Sequence, residues 1–171
     1  MGYLIPVDGN VDNLYRSSIP MKTVYDIAEM SYAKHILYLV DACYGGLTLS
    51  TRGLKTDSTP EYLKKMTHER GRMVITAGGK DEQVIEKPEW GHSAFTSVLL
   101  EGLQGRQADT DNDGIILANQ LYSFIQSNVL KLTGGGQTPQ FNQLTTDEGE
   151  FAFIDQNIIS DLFDLDLSGF G

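Results

Sequence analysis

The single cysteine of this 171-residue chain, Cys43, follows the apolar run Ile36-Leu37-Tyr38-Leu39-Val40, with Asp41 just before it and Gly45-Gly46 just after. A thiol attacks as its thiolate, so a cysteine placed for nucleophilic chemistry needs a base within hydrogen-bond reach. The run ahead of Cys43 lacks polar alternation, which predicts a strand covered on both faces, as in a parallel sheet. Cys43 then stands at that strand's carboxyl end, where ligands and catalytic groups collect in open α/β sheets. The glycine pair allows a tight turn beside the thiol, with room for a substrate chain and a developing oxyanion. A lone cysteine is otherwise most often a small buried hydrophobe. The neighbouring carboxylate and glycines favour the nucleophile reading.

Three histidines could act as the base. His35 begins the strand that Cys43 ends, which at about 3.3 Å per residue puts the two about 26 Å apart. His68 precedes the next apolar run and so belongs at the opposite edge of the sheet. His92 follows the connection leaving the carboxyl edge and opens a helix, whose positive end favours the neutral, basic imidazole. On geometry alone it is the internal candidate.

The elements that must position these residues follow from periodicity. Strands are predicted at Tyr3 to Val7, Ile36 to Val40, Met73 to Ala77 and Phe151 to Ile154. Helices are predicted at Met21 to Met30, from Pro60 to His68, at Ser93 to Leu103 and at Leu117 to Leu132. Leu47 to Thr59 reads as a Thr/Ser/Gly-rich loop. Such alternation predicts an α/β fold with a mainly parallel sheet. At this length a single domain buries about 70% of its unfolded surface. No apolar run is long enough to span a bilayer, and no basic-then-apolar leader opens the chain. One cysteine makes no internal disulfide, which fits a reducing, cytoplasmic setting. The net charge of −10 opposes binding to nucleic acid and suits basic peptides.

Asp41-Ala42-Cys43-Tyr44-Gly45-Gly46 resembles the Asp-Ser/Ala-Cys-x-Ser/Gly-Gly nucleophile motif of caspase-like cysteine peptidases, in their metacaspase and bacterial caspase-homologue form. Four further segments resemble the family in order: Gly2 to Asp8, Met73 to Gln83, Trp90 to Thr96 with Leu99 to Leu103, and Gln137 to Phe141. The resemblance spans about residues 2 to 154. It implies a caspase-like three-layer sandwich over residues 1–155, followed by an acidic and apolar tail at 156–171. It also implies a cysteine endopeptidase with Cys43 as nucleophile and a polypeptide substrate. In the family the dyad histidine sits in a His-Gly motif upstream of the segment matched by Gly2 to Asp8. The chain then corresponds to the C-terminal two thirds of a catalytic domain, with the first strands absent, and His92 reads as a structural helix-start residue. Metacaspase-like enzymes carry an acid two residues before the nucleophile in the pocket for the side chain preceding the cut bond. The resemblance thus gives Asp41 the recognition of arginine or lysine, by charge-assisted hydrogen bonds of the kind that can be bidentate. Asp81 and Gln83 match an Asp-x-Gln in the loop beside the peptide groove. The alternative is a non-catalytic interaction module. In either case a bared sheet edge beside Leu37 to Val40 would invite an N-terminal fragment or a second copy.

Asp109-Thr110-Asp111-Asn112-Asp113-Gly114-Ile115 has the alternating acids and glycine of a calcium loop, but its twelfth position is Gln120 rather than a bidentate glutamate. It reads as a turn before a helix. The resemblance leaves room for calcium at other acids, Asp8 and Asp12 among them. Arg52 and Lys55 are basic bonds of the sort such enzymes cut in themselves.

Overall fold

The computed structural model describes residues 2–43, 62, 65–66, 68–79 and 82–158. In chain order the elements are β1 (Tyr3–Leu4), α1 (Leu14–Ser17), β2 (Ile19–Pro20), α2 (Met21–Met30), β3 (His35–Cys43), β4 (Gly71–Gly78), α3 (Ala94–Gln104), β5 (Ile115–Leu117), α4 (Ala118–Leu132), β6 (Gln140–Gln143) and β7 (Ala152–Ile154). The chain is mixed α/β. Tyr62, Lys65, Met66 and His68 are helical. The predicted loop at Leu47 to Thr59, with Arg52 and Lys55, lies outside the described residues.

β4 is the centre of the architecture. All its residues are buried, and it pairs in parallel with β3 on one side and antiparallel with β6 on the other. Its side chains alternate between two packed faces, as the pleat requires. Ile75 and Ala77 join Phe95 and Val98 of α3 and Leu121, Ile125 and Val129 of α4 in the larger core. Val74 points the other way, against Ala28 of α2 and Leu144. Helices therefore cover both faces of the sheet.

Two expectations from the sequence are corrected here. Among the described residues only the β3–β4 ladder is parallel. β1 with β2, β4 with β6, and β5 with β7 are all antiparallel. Strand-helix alternation orders the elements along the chain, but the direction in which a strand docks depends on where its connection returns. β6 reaches β4 only after two helices and β5, and β7 reaches β5 only after α4 and β6, so neither pair is the two strands of one βαβ unit and no single crossover dictates their sense. Nor is β3 buried on both faces. Leu37 packs on the α3 and α4 side and Tyr38 and Val40 on the α2 side, yet its described residues are half-buried at best and Leu39 is 37% exposed. β3 is an edge strand of the described sheet.

Polar side chains complete the frame where the backbone leaves carbonyls and amides unpaired. Arg72, 1% exposed, donates to the carbonyls of Ala28 (2.7 Å), Lys34 (2.5 Å), Gly71 (3.0 Å) and Ser31 (3.2 Å), and to that of Ala33. All but the Gly71 oxygen belong to the last turn of α2 and the connection to β3, so the guanidinium serves as a C-terminal cap supplied from β4. Burial, then neighbouring Arg70, pulls the Arg72 pKa down. Gln137 is fully buried between two segments: its Oε1 accepts from Ile85 N–H (2.8 Å) and its Nε2 donates to Ala77 C=O (2.8 Å). The chain before β7 passes so close to the one before β4 that a Cβ on Gly149 would lie 2.2 Å from the Glu69 carbonyl oxygen.

Candidate functional site

The register between β3 and β4 slips by one residue between Val40, opposite Thr76, and Cys43, opposite Gly78. The extra residue makes a bulge at Asp41-Ala42, a device that re-aims side chains and is frequent beside active sites. It lies at the carboxyl end of the parallel pair. The chain leaving β4 returns to this end through an antiparallel bridge between Glu86 and Ser93, with a short 3₁₀ turn, Pro88–Trp90, in between. Ser93 then starts α3.

Ser93 has two tasks. Its Oγ accepts from Thr96 N–H (3.0 Å), the usual service of a serine N-cap. The same hydroxyl donates to Asp41 Oδ2 at 2.5 Å. Thr96 Oγ1 donates to that same oxygen at 2.6 Å. Two hydroxyls and the positive end of an eleven-residue helix thus converge on one carboxylate oxygen. Among the described residues Oδ1 has no partner.

Asp41, Glu86, Lys87, His92, Ser93 and Thr96 line a cleft of about 660 Å³, the size of a small-ligand site. Two carboxylates, Asp41 and Glu86, face one ammonium, Lys87. That ammonium is itself held 4.0 Å from Glu89 and 4.8 Å above the Trp90 ring. The cleft can therefore receive a positively charged group. His92 is exposed in its wall, directly ahead of the N-cap. His35 Nε2 instead donates to the Glu69 carbonyl (2.9 Å) at the opposite end of the ladder, and His68 is exposed just before β4.

Of the site residues expected from sequence, Asp41 is the one found lining the cleft among the described residues. Asp41 and His92 share the cleft, and Cys43 occupies the last position of β3, two residues beyond Asp41. Gln83 is exposed in the connection that leads to Glu86, while Asp81 lies outside the described residues. Sequence reasoning missed Glu86, Ser93 and Thr96 as parts of the site. The serine ahead of an apolar-periodic run was a legible cap signal. Nothing in the sequence joined it to Asp41.

Glu82 fastens the loop after β4. Its Oε2 accepts from the backbone N–H of Gly79 (2.9 Å) and Thr138 (2.7 Å). Burial pushes its pKa up, but these bonds more than offset it and hold the carboxyl below its ordinary value.

The acidic turn before β5 is a separate feature. Carboxylate oxygens of Asp109, Asp111 and Asp113 lie within 4.8 Å of one another. Protein donors meet them: Arg106 reaches Asp109 at 2.7 Å, the N–H groups of Asp113 and Gly114 point to Asp109, and Gln120 Nε2 faces Asp111 at 3.4 Å. Gln120 Oε1 meanwhile accepts from Leu117 N–H (2.8 Å) at the start of α4. The twelfth position of the calcium-like pattern thus caps a helix. Burial first, then Asp111 and Asp109, raises the pKa of Asp113. Asp8 and Asp12 are exposed near the N-terminal end, outside this cluster.

Compared with family models, curated proteins and solved structures, the chain matches none.

Proposed function

We propose that this chain is the catalytic-site portion of a caspase-like cysteine endopeptidase that cleaves polypeptides after arginine or lysine. Cys43 is the nucleophile and Asp41 the carboxylate that receives the basic side chain. The observation that carries the reading is Asp41's place: a helix-braced carboxylate in an acidic cleft, two residues before the cysteine, on a bulge at the carboxyl end of a parallel strand pair. Helices on both faces of the sheet are compatible with the three-layer sandwich of that family. Asp81 and Gln83 belong to the peptide groove in this reading, and calcium is an optional effector rather than a participant. The base is a histidine on an N-terminal fragment that pairs beside β3, and the setting is cytoplasmic.

The test is turnover of fluorogenic peptides ending in arginine or lysine, by the chain alone and with a histidine-bearing N-terminal segment added, against Cys43→Ala. Cleavage that needs Cys43 and the added segment is expected. Cleavage indifferent to Cys43 would end the proposal.

A second reading is favoured by β3 itself. Its outer edge has no strand partner among the described residues, and Ile5, Val7, Val11, Tyr15, Met30 and Tyr32 are exposed in the N-terminal part. An inactive chain that binds another protein, or a second copy, along that edge uses the same surface. Cys43-independent complex formation with no turnover under any of these conditions would select it.

A further inference from the structure

The two donors on Asp41 fall on one oxygen, and this has consequences for what the cleft accepts. A carboxylate oxygen offers about two lone-pair sites. At Oδ2 both are taken, by Ser93 Oγ at 2.5 Å and Thr96 Oγ1 at 2.6 Å. Only Oδ1 is open toward a ligand. An arginine fork laid against both oxygens of a carboxylate requires two free acceptors. Asp41 supplies one.

We infer that Ser93 and Thr96 are positioning residues that turn Asp41 into a single-acceptor anchor, so that the cleft takes a basic side chain by one charge-assisted hydrogen bond and does not prefer arginine over lysine. This rests on the reading of the cleft as the basic-residue pocket. Glu86, brought beside Ser93 by the backbone bridge, lines the same cleft and adds negative potential. An ammonium loses little in such a site, because a point charge uses one acceptor as well as it uses any. A guanidinium loses its geometric advantage.

Thr96 is the residue to change. Thr96→Val removes the hydroxyl at constant shape and leaves the Ser93 cap on the Thr96 backbone N–H intact, so α3 keeps its first turn. Oδ2 then has a free acceptor site, and the bidentate geometry becomes available to arginine alone. Thr96→Ser keeps the hydroxyl and serves as the conservative rescue.

The experiment titrates N-acetyl-arginine amide and N-acetyl-lysine amide into the full chain, followed by amide chemical shifts of Gly91 and Ser93. In the unaltered protein the two affinities should agree within about threefold, as expected where no second hydrogen bond separates them. In Thr96→Val the arginine-to-lysine ratio should rise about tenfold, the order expected for one added hydrogen bond to a charged group. Thr96→Ser should return the ratio to its original value. A merely structural threonine would change both affinities alike, and an unmoved ratio in Thr96→Val overturns the inference. So does a strong arginine preference in the unaltered chain, or failure of either amide to bind. Binding with the expected ratios and no Cys43-dependent cleavage would leave this inference standing while removing the peptidase assignment.

Discussion

Thr96 Oγ1 donates to Asp41 Oδ2 across 2.6 Å, tying the first turn of α3 to the carboxyl end of β3. With Ser93 it makes the start of a helix and the bulge of a strand a single polar unit.

Ser93→Ala removes a helix cap and one of those donors together. A loss of about 1–2 kcal/mol in unfolding free energy is expected, the upper part of the range for an N-cap serine. A double-mutant cycle with Asp41→Ala isolates the cross-element contact, with a coupling of about 1 kcal/mol. Strict additivity in urea denaturation would mean that the hydroxyl and the carboxylate do not meet in solution.

Asp41→Asn should weaken binding of both basic amides by about tenfold or more, because the ligand cation is left without a counter-charge. Equal loss for arginine and lysine is the signature of a charge effect at a single acceptor. An unchanged affinity in this variant would place the anionic partner elsewhere, Glu86 being the first alternative to replace.

Two glutamates give the stability opposite pH dependences. Glu150, 5% exposed, accepts from Asn119 N–H (2.8 Å) near the start of α4 and from Tyr62 OH (3.3 Å), yet burial outweighs these bonds and raises its pKa. The folded state therefore binds its proton more tightly than the unfolded chain. Its contribution is fully present below the unfolded glutamate pKa and is lost as pH rises through the folded one. Glu82, with its pKa lowered, does the reverse: its contribution holds above the unfolded value and fades as pH falls through the folded one. The difference in unfolding free energy between wild type and Glu150→Gln, followed from neutral pH downward, should shift in favour of wild type. For Glu82→Gln it should shift the other way. Parallel profiles for the two variants would contradict both assignments.

Arg72 donates to carbonyls rather than to a carboxylate, so its removal leaves buried acceptors with no replacement donor. Arg72→Met, which keeps much of the volume, should cost about 3–5 kcal/mol by denaturant melting. Arg72→Lys should recover only part, because one ammonium cannot reach oxygens spread from Ala28 to Lys34. A neutral Arg72→Met would show that water satisfies this turn.

An edge strand shows its position in hydrogen exchange. Along His35 to Val40, alternate amides should be protected by pairing with β4 while those between them exchange freely. Uniform protection that deepens with protein concentration would mean that a second copy pairs along β3. Uniform protection independent of concentration would mean that another segment of the same chain covers it.

Local pattern alone determined where most elements lie. The helix at Met21 to Met30 begins and ends where periodicity placed it, the apolar spacing from Ser93 to Leu103 became α3, and the apolar runs around Leu37 and Ile75 became β3 and β4. These depend on interactions within a turn or two, or on burial that any covered strand requires. The placement of Asp41 and Cys43 at a strand's carboxyl end was legible for the same reason. What tertiary structure decided is everything that depends on which segments meet. β5 and β6 are short, and half of β6 is glutamine, so they carry no period strong enough to read. Their antiparallel docking depends on how α4 returns the chain to the sheet. Nothing in the sequence marks Arg72 for burial, and only the arrival of the end of α2 beside it supplied the carbonyls that satisfy it. The carboxylate of Asp41 found its hydroxyls in the same way. A hydrogen bond between residues 41 and 96 needs a bulge to aim one side chain and a helix packed on β4 to deliver the other, and neither the angle nor the packing is written in the spacing of either residue.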